Sequence, residues 1–225
     1  MGYKSLESCI SDLDKTGQLI RIKEEVDPYL EMSSIQLRAY QKGGPAILFE
    51  NIKGCEFRAV SNLFGDLNRS KFLFRDSMEM VQNIALLKKD PMRALKNPIK
   101  YLSTPKHLFN ALPKKVSKRS TGFLETTIDK LPQITCWMKD GGPYVTLPVV
   151  YTEDVDQPGW MKSNMGMYRI QLGGNDFVQN EEIGLHYQIH RGIGVHQSKA
   201  NAKGQPLKVS IFVGGPPSLT FSGVM

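Results

Sequence analysis

The residues best suited to chemistry fall between Trp160 and His196. Asn164 follows a turn, and Arg169 comes five residues later. The two residues suit a surface turn and a half-buried strand. His186, Gln188 and His190 are spaced by two. On a strand they share one face, and in a helix the two histidines stand at i and i+4, again on one face. Either arrangement suits a metal or a polar cofactor, although no carboxylate accompanies the histidines at a fixed spacing. Partly buried structural histidines fit the pattern too. His107 and His196 read as surface residues. Gly141-Gly142 and Gly214-Gly215-Pro216-Pro217 allow either a close backbone approach to a ligand or a tight turn. GxSxG, Walker-type and GxGxxG strings are absent from the sequence, so acyl-transfer, P-loop and Rossmann readings have no motif behind them.

The elements that must position these residues change character along the chain. Leu6, Cys9, Ile10 and Leu13 have helical spacing, and Gly17 ends that helix. Leu19 to Val26 reads as a strand, Leu30 to Gln41 as a helix stopped by Gly43-Gly44-Pro45, and Ala46 to Phe49 and Phe57 to Leu63 as strands. Ser70 to Lys89 reads as one helix. Prolines at 91, 98, 105 and 113 then break the chain into short helices and turns. After about Thr121, short strands are expected at Tyr144–Thr152, Tyr168–Leu172, Ile183–Ile189 and Val209–Val213, with a helix over His190–Lys203. The fold class is α+β. An α/β domain over residues 1–118, with a basic helical linker from about 88, precedes a barrel- or sandwich-like domain over 119–225.

Composition narrows the function. The 225 residues are 40 % hydrophobic and 23 % charged, which excludes a disordered chain or a disulfide mini-protein. No apolar run reaches the roughly 18 residues of a membrane helix. Three widely spaced cysteines fit a reducing, cytoplasmic setting and argue against a thiolate metal site. The net charge is +7. Much of it lies between Lys88 and Arg119, where ten basic residues face Asp90 alone. No aromatic platform accompanies this stretch, so a surface or interdomain face is expected in place of nucleic-acid binding.

Four ordered segments carry a resemblance. They are Asp140-Gly141-Gly142, Ser163-Asn164-Met165-Gly166-Met167-Tyr168-Arg169, Gly184 through Gly192 (GLHYQIHRG), and Val213-Gly214-Gly215-Pro216-Pro217. With Gly17-Gln18-Leu19 and Gly44 through Asn51 (GPAILFEN), they make the chain resemble the UbiD family of decarboxylases from end to end.

That resemblance implies an N-terminal α/β domain followed by a flavin-binding split β-barrel, here incomplete. It implies prenylated FMN as cofactor, with a divalent metal (manganese in most members) and potassium in many. The reaction implied is reversible, non-oxidative loss of carbon dioxide from aromatic or α,β-unsaturated carboxylic acids, the founding case being a step of ubiquinone biosynthesis. By position, Asn164 and His190 match the metal ligands. Met167, Tyr168, Arg169, His186, Tyr187, Gln188, Arg191, Gly192, Gly223, Val224 and Met225, together with Asn164 and His190, match the cofactor-binding segments, with Ser222 opening the last of them. Arg169 is the catalytic residue implied, facing the substrate carboxylate. The family's third metal ligand, a glutamate, and its proton-donating acid lie beyond position 225. The resemblance therefore implies an N-terminal portion that does not turn over alone, or an inert binding module that pairs with a C-terminal half or an intact homologue. A flavin prenyltransferase as cofactor supplier and a homo-oligomeric full-length enzyme are the partners implied.

Overall fold

The computed structural model describes residues 2–92 and 125–224. Packing divides the chain into a larger unit, built of Tyr3–Ser70 and Thr126 onward, and a smaller one beginning at Lys71.

The larger unit opens with helix α1 (Leu6–Lys15). Ser5 caps it by accepting a hydrogen bond from the Ser8 N–H at 3.1 Å, and the Ser8 side chain in turn accepts from the Ser5 N–H. The helix buries Cys9, Ile10 and Leu13, and the chain turns at Gly17, whose φ is +69°. Strand β1 (Leu19–Val26), helix α2 (Glu31–Gln41), β2 (Ala46–Ile52) and β3 (Ala59–Ser61) follow. β1 and β2 are parallel, as a helical crossover requires, and β3 returns antiparallel to give the order β1-β2-β3. β2 is nearly continuously apolar because it is the middle strand: Ile47 and Phe49 are buried in one core with Val26, Met32 and Ile52.

The Ser70–Lys89 stretch is two helices, α3 (Leu67–Leu73) and α4 (Arg75–Lys89), separated at Phe74. Asp76 lies in the first turn of α4, where a negative charge favours a helix start. Lys88 and Lys89 end α4. The rest of the basic segment, from Arg93, lies outside the described residues, as do His107 and Met225.

The remainder of the larger unit is two three-stranded antiparallel sheets. Strands β4 (Tyr144–Val145), β7 (Arg169–Gln171) and β8 (Gly184–His186) form one, in the order β4-β7-β8. Strands β5 (Val149–Glu153), β6 (Ser163–Met167) and β9 (Val209–Phe212) form the other, in the order β6-β5-β9. They do not close into a barrel among the described residues. Helix α5 (Gly192–Ala202) buries Ile193 with Val150, Ile170 and Leu172, and helix α6 (Pro217–Ser222) follows the double-proline turn. No helix among the described residues is long and apolar enough to cross a membrane.

Three further expectations change. Tyr144–Thr152 is two strands in two different sheets. β6 forms over residues where no strand is expected. β8 stops at His186, after which the chain turns with the Arg191 N–H donating to the Gln188 carbonyl at 2.9 Å. His186, Gln188 and His190 therefore do not share a strand face.

Candidate functional site

β6, the start of β7, the end of β8, the first turn of α5 and the loop after α6 surround an open cleft of about 780 Å³. Asn164, Met167, Tyr168, Arg169, His186, Tyr187, Gln188, Arg191, Gly192, Gly223 and Val224 all line it. His190 is exposed in the turn before α5 and is not among the lining residues.

Close backbone approach builds the first wall. A Cβ on Gly166 would lie 2.7 Å from the Tyr168 ring, so glycine there lets the ring fold back along β6. The Tyr168 hydroxyl then accepts a hydrogen bond from Asn164 Nδ2 at 3.3 Å. A Cβ on Gly192 would lie 2.2 Å from Asn164 Oδ1, so the start of α5 lies directly against the amide. The Met167 N–H donates to the Gly223 carbonyl at 2.9 Å, tying the last loop to β6.

Arg169 forms the second wall. Its Nη2 donates to Asp140 Oδ1 at 2.8 Å, and its guanidinium lies 3.6 Å above the Tyr144 ring. His186, the register partner of Arg169, meets the same ring edge-on at 5.8 Å. The buried Tyr144 hydroxyl donates to Gln171 Oε1, and Gln171 Nε2 donates to the Gly141 and Gly173 carbonyls. Burial pushes the Asp140 carboxyl up. The hydrogen bonds from Arg169 and from the backbone at Trp137 and Cys136 outweigh it and hold the group below the ordinary carboxylate value. Arg169 thus faces the cleft fixed on two sides, with guanidinium nitrogens left for an anion.

Of the Gly141-Gly142 pair, Gly142 is required by backbone packing. A Cβ on Gly142 would lie 2.0 Å from the Gly173 carbonyl oxygen. Asp140 and Tyr144, which position Arg169, carry no spacing signal of their own. His196, expected on the surface, is only 7 % exposed and bonds Thr152 through Nδ1 at 2.9 Å. Its polar neighbours in sequence suggest a solvated face, but helix geometry turns it toward β5.

The donor set suits an anionic ligand. α5 starts without a side-chain cap, its N-cap residue is Arg191, and Gly192 brings the helix start against the Asn164 amide. A helix N-terminus beside an arginine favours a phosphate. For a divalent metal the fit is partial: Asn164 lines the cleft, and no three His, Cys, Asp or Glu side chains converge among the described residues.

The family profile described as 3-octaprenyl-4-hydroxybenzoate carboxy-lyase Rift-related domain matches residues 113–225, and that of the carboxy-lyase N-terminal domain matches residues 10–88. A Chlamydia pneumoniae protein named as a subunit of 4-hydroxybenzoate decarboxylase is 38 % identical over 216 residues, which cover 92 % of this chain and 35 % of that protein. The closed form of Sedimentibacter hydroxybenzoicus vanillic acid decarboxylase (ShVdcCD) matches with a TM-score of 0.76 and 27 % identity, over 100 % of this chain and 45 % of that one. An evolved dimeric form of the UbiD-class enzyme HmfF from Pelotomaculum thermopropionicum, in complex with prFMN, shares the fold with a TM-score of 0.68 and 23 % identity, over 96 % of this chain and 45 % of that one. The chain spans less than half the length of each of these relatives. With both profiles matched in order and the Rift-related one alone covering half of the sequence, the chain belongs to the UbiD family of 3-octaprenyl-4-hydroxybenzoate carboxy-lyases.

Proposed function

We propose that the cleft binds prenylated FMN and serves the reversible, non-oxidative decarboxylation of an aromatic or α,β-unsaturated carboxylic acid. The observation that carries this reading is the placement of Asn164 and the first turn of α5 at one wall and a doubly anchored Arg169 at another. When bound, the modified flavin supplies an electron sink for the carbanion character that develops as carbon dioxide leaves. The two sheets are read as portions of the split barrel that carries it.

The chain's own residues bind and orient. Arg191, Gly192 and the helix start receive the cofactor's phosphate end. Asn164, with His190 from the adjoining turn, would hold a divalent metal; two neutral ligands would leave its charge to be balanced by anionic groups. Met167, Tyr168, His186, Tyr187, Gln188, Gly223 and Val224 contact the ring system. Arg169 takes the substrate carboxylate, and Asp140 and Tyr144 keep its guanidinium in place while that carboxylate is lost. A flavin prenyltransferase supplies the cofactor, and the setting is cytoplasmic.

The test is coexpression of the full chain with a flavin prenyltransferase, followed by visible absorbance and mass spectrometry of the purified protein. Stoichiometric modified flavin, lost in Arg191→Glu, is the expected result. A colourless wild-type chain that also fails to bind added FMN would overturn the reading.

A further inference from the structure

Helix α5 meets the neighbouring sheet along one polar stripe. Gly192, His196, Lys199 and Lys203 recur at intervals of three and four and share a helix face. Thr152, Asp154 and Asp156 alternate along β5 and the segment beyond it, and so project to one side. The two rows meet in order. Lys203 Nζ lies 2.5 Å from Asp156 Oδ1, Lys199 Nζ 2.6 Å from Asp154 Oδ2, and His196 Nδ1 2.9 Å from Thr152 Oγ1. Gly192, one turn before His196, lies against Asn164. Asn164 is in turn the register partner of Thr152 on β6. Directly opposed residues of antiparallel strands project to the same face. Asn164 and Thr152 are therefore neighbours on the sheet, and Gly192 and His196 lie over them.

These contacts differ in what they can fix. The lysine pairs are 39 to 46 % exposed on the lysine side, where water and salt weaken them. The apolar contact of Ile193 holds the helix on the sheet but has no direction. The Thr152–His196 bond is both buried and directional: Thr152 is 1 % exposed and His196 7 %. It is also the polar contact nearest the cleft end of the stripe. We propose that Thr152 and His196 are positioning residues. Their hydrogen bond sets how closely the first turn of α5 approaches Asn164, and so shapes the site for the cofactor's phosphate end. This rests on the reading of the cleft as a flavin site.

FMN and riboflavin separate the two ideas, because they share the ring system and differ in the phosphate. Affinities for both are measured on the full chain in manganese-containing buffer, with hydrogen exchange at the start of α5 followed in parallel. Thr152→Val removes the hydroxyl at nearly constant volume. The expected result is an FMN Kd raised about tenfold, the order seen when supporting partners of a bound site are lost, with riboflavin affinity unchanged and exchange at the start of α5 faster. Thr152→Ser restores both. If Thr152→Val fails to fold, Thr152→Ala is read by the same criteria. A variant that keeps the wild-type ratio of FMN to riboflavin affinity, or weakens both ligands equally, overturns the proposal and leaves the cofactor reading standing. A wild-type chain that does not prefer FMN to riboflavin overturns both.

Discussion

Gly192→Ala perturbs the cleft at its tightest point. The added Cβ would lie 2.2 Å from Asn164 Oδ1, 2.8 Å from its Cγ and 3.2 Å from its Cβ. Rotation of the amide about Cβ–Cγ relieves only the first contact, because Cγ lies on that axis and moves only by a turn about Cα–Cβ. The side chain must swing away, and its 3.3 Å hydrogen bond to the Tyr168 hydroxyl breaks. A bond of this kind contributes about 0.5–1.5 kcal/mol. The helix gains in return: alanine is about 1 kcal/mol better than glycine in a helix interior, and Gly192, the first helical residue, realises part of it. Gly192 is not among the positive-φ glycines, so alanine meets no backbone strain. The two contributions nearly cancel, and the unfolding free energy should stay within about 1 kcal/mol of wild type. Ligand binding has no such compensation, because the methyl group occupies the space between the helix start and a displaced Asn164. FMN affinity should fall at least tenfold, or about 1.4 kcal/mol. Urea denaturation gives the first quantity and quenching of flavin fluorescence the second. A Gly192→Ala chain that binds FMN with wild-type affinity would refute the placement of the ligand against Asn164 and α5.

Ile193, the next residue, should behave in the opposite way. It is 1 % exposed among Val150, Ile170 and Leu172, so Ile193→Ala should cost about 2–5 kcal/mol of stability, read as a lower urea midpoint at constant slope. A cost under about 1 kcal/mol would mean that α5 is not held on the sheet as described. The Asp154–Lys199 pair gives a pH signature. The Lys199 ammonium and the Asp156 N–H hold the Asp154 carboxyl below its ordinary value, against burial, and the same carboxylate raises Lys199. A carboxyl depressed on folding stabilises fully above its unfolded value of about 3.9 and ceases to as pH falls through the folded value. A raised lysine stabilises below about 10.4 and ceases to as pH rises through its folded value. The Tm difference between wild type and Asp154→Asn should therefore be constant from about pH 5 to 9 and shrink below about pH 4. An offset that persists unchanged to about pH 2 would show that the pair is not formed.

The parts of the fold legible in the sequence are those where one-dimensional patterning and packing agree. Leu6, Cys9, Ile10 and Leu13 repeat at helical spacing because one face of α1 is buried, and Gly17 marks its end because the chain turns there with positive φ. Ala46 to Phe49 reads as a strand because a middle strand is apolar on both faces. β6 is illegible for a physical reason. Ser163-Asn164-Met165-Gly166-Met167 has no β-branched residue, and the strand exists because all five positions pair with β5. Ile183 to Ile189 carries a strand-like alternation past the point where the chain leaves the sheet. His196 reads as a surface residue because α5 has no apolar stripe in the ordinary sense. Its buried face mixes Ile193 and Ala200 with a histidine, which bonds a threonine 44 residues earlier.

The six residues from Asn164 to Arg169 hold most of the cleft for a topological reason. β6 ends at Met167 in the β6-β5-β9 sheet, and β7 begins at Arg169 in the β4-β7-β8 sheet. Tyr168 is the one residue between them, so the chain changes sheets there. Asn164 is therefore referenced to β5 and, through Gly192, to α5. Arg169 is referenced to Tyr144 and Asp140 on the other side. Two groups proposed to act at opposite ends of one ligand are thus anchored in different sheets yet joined by a single short crossing. The Tyr168 hydroxyl, bonded back to the Asn164 amide, braces that crossing. The separation between the two ends depends on backbone geometry more than on the packing of distant elements, and a ligand that must be held at both ends gains most from such an arrangement.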